Sequence, residues 1–365
     1  LRPFRYKAGY GTSLPASGFS LQWRLIIYVS VPVKNLKNII YYFITFIGVI
    51  IILASILSLI GSTSYWYIQL LDFPRPQYLV SAILCMILFI FLNKTWKFFS
   101  VLLLVGLIVA IIIQGRFILP YYYGLRSVPD AKHTNINKDS AVSILIANVL
   151  ITNKESDLFL DIVYRNNPDM LLVMEVNQWW INQLQPLESI YNYNLKYPTD
   201  NAYGMALYSK LPLKNSEILF LNHNDVPSIH TDVVLPAGVV FRFYGVHPVA
   251  PVPSKKYPDN ENDKGIALLK IGDMVAQNSM PAIVAGDYND VSWSKTTQLF
   301  GIKGKLGNVR LSRGLYNTYN AKSLIKRWPL DHYFVSEEFS LVELKRLQKF
   351  NSDHFPLYAK FVLRK

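Results

Sequence analysis

Between Ile39 and Ile60 the chain runs for 22 residues without a charge. At the helical rise these reach roughly 33 Å, about one hydrocarbon core. The run lies too deep in the chain and extends too far for a cleaved signal peptide, so it predicts a transmembrane helix. Tyr65, Trp66 and Tyr67 follow it as an interfacial aromatic belt would. Two shorter apolar runs, 78–92 and 98–115, flank the tight basic connector Asn93-Lys94-Thr95-Trp96-Lys97. They read as a helical hairpin whose lysines snorkel at the turn. A re-entrant or interfacial pair is the other reading of runs this short.

Charge divides the chain at the same place. Residues 1–129 carry 11 Lys and Arg against one acid, Asp72; the remainder carries 26 against 23. The overall +13 would suggest a nucleic-acid binder, but most of it flanks the apolar runs, where it sets topology. Arg2, Arg5, Lys7, Arg24, Lys34 and Lys37 precede the first run, and Lys94 and Lys97 lie between the second and third. The connector 61–77 holds only Asp72 and Arg75. The positive-inside rule puts the N-terminus and the hairpin turn in the cytoplasm. Three spans then carry the rest of the chain outside it. The expected organisation is a basic segment 1–35, a transmembrane region 36–120, a linker 121–139 and a second domain 140–365. Cys85 is the single cysteine, so no intrachain disulfide can form.

From Ser140 the pattern becomes that of an α/β domain. Ala141–Ala147 and Met170–Met174 read as strands buried on both faces. Glu155–Asn166 has helical spacing, with Leu158, Ile162 and Val163 on one face. Gly204–Tyr208, Val239–Val246, Ala282–Ala285, Tyr333–Val335 and Leu357–Val362 are further strands, and Asp263–Ala276 is a helix. Polar residues recur past the strand ends: Asn148, Glu175, His247, Asp287, Asn289, Asp331, Asp353 and His354. Apolar strands have no structural need to end on acids and imidazoles. Converging on one edge, such ends would line a cleft with oxygen ligands suited to Mg²⁺ or Mn²⁺, and such an ion can polarise a phosphoryl oxygen.

These residues lie in an ordered set of motifs. Ala-Asn148-Val, Pro168-Asp-Met-Leu-Leu-Val-Met-Glu175, Ala285-Gly-Asp287-Tyr-Asn289, Leu330-Asp331-His and Ser352-Asp353-His354-Phe-Pro occur in this order across residues 140–365. The set resembles the endonuclease/exonuclease/phosphatase (DNase I-like) superfamily, whose motifs read "PDIL-x-L-x-E", "GDFN" and "SDHxP". The resemblance implies a four-layered α/β sandwich, here preceded by an all-α transmembrane region. It also implies roles. Glu175 would be the principal metal ligand, assisted by Asn148. Asp287 would orient or deprotonate water, and Asn289 would donate to the phosphate. His354 would face the scissile phosphate and stabilise developing charge. Asp331 and Asp353 would orient this His or hold a second metal, a division the sequence leaves open. His247, in Phe243-Tyr-Gly-Val-His247-Pro, sits where nuclease- and sphingomyelinase-like members carry a His that can protonate the leaving oxygen. Tyr316 and Tyr319 depart from the Thr-Trp pair frequent in relatives, which bears on the substrate wall.

The resemblance further implies a membrane-anchored bacterial member, a Mg²⁺- or Mn²⁺-dependent phosphodiester hydrolase. The spans and loop charges read above make it multi-pass in the inner membrane with its catalytic domain outside the cytoplasm, where two or four spans would put that domain inside. A nuclease is the commonest member type. Hydrolysis of phospholipid, sphingomyelin or a small phosphoester is the alternative that the anchor favours. A non-catalytic binding module is a third, but degeneration would have removed a ligand or general acid. No obligate protein partner is implied. Individual bland readings stand beside these: His332, His223, His230 and His133 as structural or exposed residues, and Trp179, Trp180 and Trp293 as packing. Residues 295–349 hold 11 Lys and Arg against four acids, a solvated surface or one suited to phosphate-rich or anionic partners.

Overall fold

A computed structural model describes residues 33–60, 65–131, 137–252 and 265–364. The expected basic segment therefore lies outside the described residues except for its last three, as does His133. The first helix, α1, spans Val33–Leu57 and continues as a tight turn through Ser58–Ile60. A short α2, Trp66–Gln69, leads to α3, Arg75–Leu92, and α4, Phe98–Ile118. Among the described residues, three helical stretches are long and apolar enough to cross a membrane: Asn35–Ile60, Arg75–Leu92 and Phe98–Tyr121. Both hairpin helices are longer than the sequence predicts. Pro76 fits the first turn of α3, where no intrahelical N–H is required. At that end the Arg75 guanidinium is buried, bonded to Asp72 at 2.6 Å, Gln114 at 3.1 Å and the Ser58 carbonyl at 2.8 Å. Gln114 of α4 thus has a polar partner, and the helix continues past it. The bundle packs around Ile51, Ala82, Cys85, Phe89, Leu103 and Leu107. A Cβ on Gly106 would come within 2.6 Å of Ile52 Cδ1, so α1 and α4 approach closely because that residue is small. The outer surface is apolar, with Phe91, Phe98 and Phe99 exposed.

Among the described residues, the part of the chain after α4 holds two six-stranded sheets. The strands in chain order are β1 Ala141–Asn148, β2 Met170–Met174, β3 Tyr193–Tyr197, β4 Met205–Ser209, β5 Leu213–Phe220, β6 Pro227–Val234, β7 Val240–Val246, β8 Ala282–Asp287, β9 Gly307–Asn308, β10 Asp331–Val335, β11 Phe339–Arg346 and β12 Leu357–Leu363. One sheet runs β11-β12-β1-β2-β4-β3 and the other β5-β6-β7-β8-β10-β9. Helices α5 Ser156–Asn166 and α6 Gln178–Gln183 cover the first; α7 Ile266–Gln277 and α8 Lys295–Lys303 cover the second. The alternation of strand side chains builds these layers. Ile144 and Ile146 of β1 face the second sheet and meet Phe243, Ile283 and Tyr333. Leu145 and Ala147 face the other way, onto Phe159, Ile162 and Trp180. Val284 and Tyr244 meet Ile271, Val275 and Phe300 beneath α7 and α8. The result is helix, sheet, sheet, helix.

Two sequence readings need correction. The buried face of α5 is Phe159, Ile162 and Val163, an i, i+3, i+4 set, while Leu158 is 45% exposed. Asp331 opens its strand, and Asp353 and His354 lie in the turn before β12, instead of following a strand end. Because β10 is antiparallel to β8, with Asp331 opposite Asp287, its beginning lies on the same edge as the end of β8.

Candidate active site

Register brings the polar residues together. β1 and β2 are parallel, with Asn148 opposite Met174, so Asn148 and the following Glu175 emerge side by side. Glu175 has φ +61, which turns the chain sharply out of the strand. Across the sandwich, β7 and β8 are parallel, with Val246 opposite Gly286, so His247 and Asp287 emerge together. Gly286 has φ +146, and a Cβ there would meet the Val246 carbonyl oxygen at 1.9 Å; only glycine permits this approach. The turn before β12 is fixed to β1 through Ser352, whose Oγ donates to the Asn148 carbonyl at 2.8 Å and accepts from the His354 amide at 3.0 Å.

Within this cleft Asn148 Nδ2 donates to Glu175 Oε1 at 2.8 Å and to Asp287 Oδ2 at 3.1 Å. Its Oδ1 accepts from the Leu150 amide at 3.0 Å, which fixes the orientation of the amide. The Ile151 amide donates to Glu175 Oε2 at 3.2 Å. His354 Nδ1 lies 2.8 Å from Asp331 Oδ2, and its Nε2 lies 3.5 Å from Asp287 Oδ2. His247 Nε2 is 3.8 Å from the same Asp287 oxygen. Thus Asn148, Glu175, His247, Asp287, Asp331 and His354 form one cluster. Asp353 neighbours it in sequence and in charge. Asn289 stands at its margin. Its backbone N–H donates to Asp287 Oδ1 at 2.8 Å in an Asx turn, and its side-chain Nδ2 donates to the Pro248 carbonyl at 2.9 Å. One side-chain proton of Asn289 is thereby committed to the loop after His247. Asp331, not Asp353, holds the hydrogen bond to the His354 ring.

Electrostatics separates the two imidazoles. Burial would lower His354, but the carboxylates of Asp331 and Asp287 raise it to about 10, so it is an imidazolium at neutral pH. Burial lowers His247 to about 4 despite Asp287, so that ring is neutral. Burial raises Glu175, opposed by its bonds to Asn148 and Ile151. Burial likewise raises Asp287 against the pull of His354.

The donor set fits a divalent cation. Asp331 Oδ1 and Asp353 Oδ1 are buried and find no hydrogen-bond partner among the described residues. Asp287 and Asp331 belong to a group of potential ligand atoms within 4.8 Å of one another, whose third member, His354, is protonated and offers no lone pair. Several carboxylates sharing one desolvated cleft need a counter-charge beyond a single imidazolium. Hard oxygen ligands of this kind suit Mg²⁺ or Mn²⁺.

Several contributors escape a sequence reading. Tyr203 places its ring 5.1 Å from His247; its only signal is Gly204 beside it, where a Cβ would meet the Val176 carbonyl at 1.9 Å. Tyr319, noted for its departure from relatives, lies 5.0 Å from the His354 ring and stacks on Trp328 at 6.2 Å. Arg310 is fully buried and donates to the backbone carbonyl of Asp331. His332 turns away from the cleft, 2.9 Å from Arg310 Nη1 and from the Asp290 carbonyl. His230 lies in β6 on Ser228, and His223 lines a small cavity beside His247. Trp180 and Trp293 are buried in packing clusters, and Trp179 lies partly buried against the first of them.

A model of the Endonuclease/Exonuclease/phosphatase family matches residues 135–354. No curated protein matches the sequence. Among solved structures, the human Nocturnin catalytic domain with bound sulfate is 19% identical with a TM-score of 0.50, covering 63% of this chain and 96% of its own. D. rerio TDP2 complexed with a single-strand DNA product is 15% identical with a TM-score of 0.50, covering 61% and 99%. The endonuclease/exonuclease/phosphatase from Bacteroides vulgatus gives 15%, 0.50, 61% and 99%. At these identities the likeness is one of fold, the DNase I-like sandwich. The ordered motifs, the sandwich and a family match over most of the catalytic part agree: this chain belongs to the endonuclease/exonuclease/phosphatase family of phosphoester hydrolases.

Proposed function

We propose that the chain is a membrane-anchored, divalent-metal-dependent hydrolase of phosphodiester bonds. The observation that carries this is a desolvated group of acids with unpartnered oxygens set against an imidazolium. Glu175, with Asp353 beside it, is the residue that would hold Mg²⁺ or Mn²⁺. Asn148, expected from the resemblance to assist as a ligand, turns its Nδ2 toward Glu175 and Asp287 and so would orient their carboxylates instead. When bound, such an ion supplies polarisation of a phosphoryl oxygen and stabilises the leaving oxygen. Asp287 is the candidate base: burial raises its affinity for a proton, so it can take one from an attacking water. His354, oriented by Asp331, presents positive charge to the oxygen on which negative charge develops. His247 is neutral here and serves as a hydrogen-bond donor to the phosphate; a proton for the leaving oxygen comes more readily from His354. Asn289 retains one amide proton for the phosphate.

We place the protein in a bacterial inner membrane, crossing it three times, with the catalytic part outside the cytoplasm. The charge asymmetry supports this. Arg75, the one cation of the first connector, is neutralised by Asp72, whereas the N-terminal segment and the hairpin turn are basic. Nucleic acids and phospholipids both carry the required bond, and the cluster's chemistry serves either. The test is hydrolysis of bis-p-nitrophenyl phosphate by the full chain with and without Mg²⁺. Glu175→Ala, Asp287→Ala and His354→Ala should each abolish it. Wild-type turnover by any one removes that residue from the mechanism.

A further inference from the structure

The wall of the cleft beside His354 belongs to a loop that reaches the helical bundle. Its two feet are Tyr319 and Trp328. The Thr318 and Tyr319 amides donate to the Trp328 carbonyl at 3.1 and 3.0 Å, and the Ala321 amide donates to the Asp353 carbonyl at 2.7 Å. Tyr319 lies against the His354 ring, and Trp328 meets Phe73, just before α3, edge to face at 5.7 Å. At the tip stand Leu324 and Ile325, 86% and 77% exposed. Exposed Lys322 and Lys326 flank them, and no acid occurs between Asn320 and Leu330. Two adjacent aliphatic side chains held this far into solvent between lysines form a poor water-facing surface and a good lipid-facing one.

The height of the tip is fixed. Gln77 Nε2 donates to the Ile325 carbonyl at 2.8 Å. Gln77 lies in the first turn of α3, whose 18 residues reach only about 27 Å. A helix that short has no length to spare in crossing a hydrocarbon core, so its first turn sits at the boundary with water. The tip of the loop is level with that turn. Leu79 and Phe117, near the same ends of α3 and α4, join the cluster that holds Trp328.

We propose that residues 320–327 form an interfacial loop, with Leu324 and Ile325 in an anionic leaflet and Lys322 and Lys326 on lipid headgroups, and that the site takes its phosphodiester from a lipid of that leaflet. This rests on the hydrolase reading above. A single-stranded nucleic acid would favour a groove of cations and stacking aromatics; here the aromatic wall leans on a membrane helix and ends in an aliphatic tip. Lipid phosphates lie at this level already. Water adds to the phosphorus and one P–O ester bond breaks. A proton goes to the departing alkoxide, and a phosphomonoester and an alcohol result.

The test uses the full chain in nanodiscs of bacterial total polar lipid. It compares wild type with Leu324→Ser/Ile325→Ser and Lys322→Gln/Lys326→Gln. Two turnovers are followed, release of lipid products by mass spectrometry and hydrolysis of soluble bis-p-nitrophenyl phosphate. Lipid turnover should fall by about tenfold or more in each double variant, as loss of two interfacial side chains requires, with soluble turnover unchanged. In a Cys85→Ala background, a bimane on Leu324→Cys should be quenched by nitroxide lipids. Soluble turnover without any lipid product, equal loss of both turnovers, or an unquenched bimane would overturn the proposal. Absence of both turnovers in wild type would defeat the hydrolase reading instead, and the quenching would still decide the loop.

Discussion

Replacing Asp331 by Asn tests how the cleft controls its imidazolium. The backbone at this position is held independently of the side chain, by Arg310 at its carbonyl and by Thr318 Oγ1, which accepts from its amide at 3.2 Å. An Asn therefore occupies the same place but removes the charge 2.8 Å from His354 Nδ1. A hydrogen bond to a charged group is worth about 1.5–3 kcal/mol, so kcat should fall by roughly tenfold to a hundredfold. The pH profile should change as well. His354 lies at about 10, raised by Asp331 and Asp287 against the effect of burial. Catalysis that uses the imidazolium is present below that pKa and lost above it. Without the Asp331 charge the pKa drops, and the alkaline limb of kcat should move down by about one to two pH units, at roughly 1.36 kcal/mol each. Steady-state hydrolysis of bis-p-nitrophenyl phosphate across pH, with a thermal melt as a control for folding, reads both effects. An alkaline limb that stays in place while kcat falls would refute the argument, since Asp331 would then be acting through the backbone.

Glu175→Gln keeps the shape of the side chain but removes a ligand charge, so Mn²⁺ affinity followed by electron paramagnetic resonance should weaken by about tenfold or more; unchanged affinity would place the ion elsewhere. Burial, with Arg242 nearby, lowers His230 to about 4. The unfolded chain then takes up a proton below pH ~6.5 that the folded one refuses. Stability should therefore fall as pH drops from about 6.5 to 4, by up to about 3 kcal/mol. His230→Gln should flatten that slope of melting temperature against pH, and an unaltered slope would exclude this residue as the cause. A periplasmic-active reporter fused after Lys365 should be active; activity only of a cytoplasmic reporter would mean an even number of crossings.

Much of the site was legible because Asn148, Glu175, His247 and Asp287 stand at the ends of strongly apolar strands. After Met170–Met174, an acid at Glu175 has no packing reason to exist, and the same holds for Asp287 after Ala282–Ala285. The division of labour between Asp331 and Asp353 was not legible, because it depends on β10 running antiparallel to β8, a pairing that local sequence does not encode. The strands β3, β5, β6, β9 and β11 were missed for a related reason. Exposed faces interrupt the apolar pattern in edge strands such as Leu213–Phe220, and in the buried β6 the polar residues Ser228, His230, Thr231 and Asp232 interrupt it. Phe73 and Phe117 lie beside the apolar runs in sequence and Trp328 far from them; only the tertiary structure shows the three in one cluster.

That cluster has a consequence for how the molecule is assembled. Trp293 donates its indole N–H to the Asp72 carbonyl at 2.7 Å and packs with Ile118, Tyr121, Val291 and Leu330. A fragment cut in the linker would lack Phe73, Ile118 and Tyr121 and present Trp293 and Leu330 to water, an adhesive face instead of a finished one. Trp328 would lose its brace, and with it the support of the aromatic beside His354. The helices thus finish the apolar seam of the larger part, and on the reading proposed above a chain whose hairpin had not formed would leave that seam open.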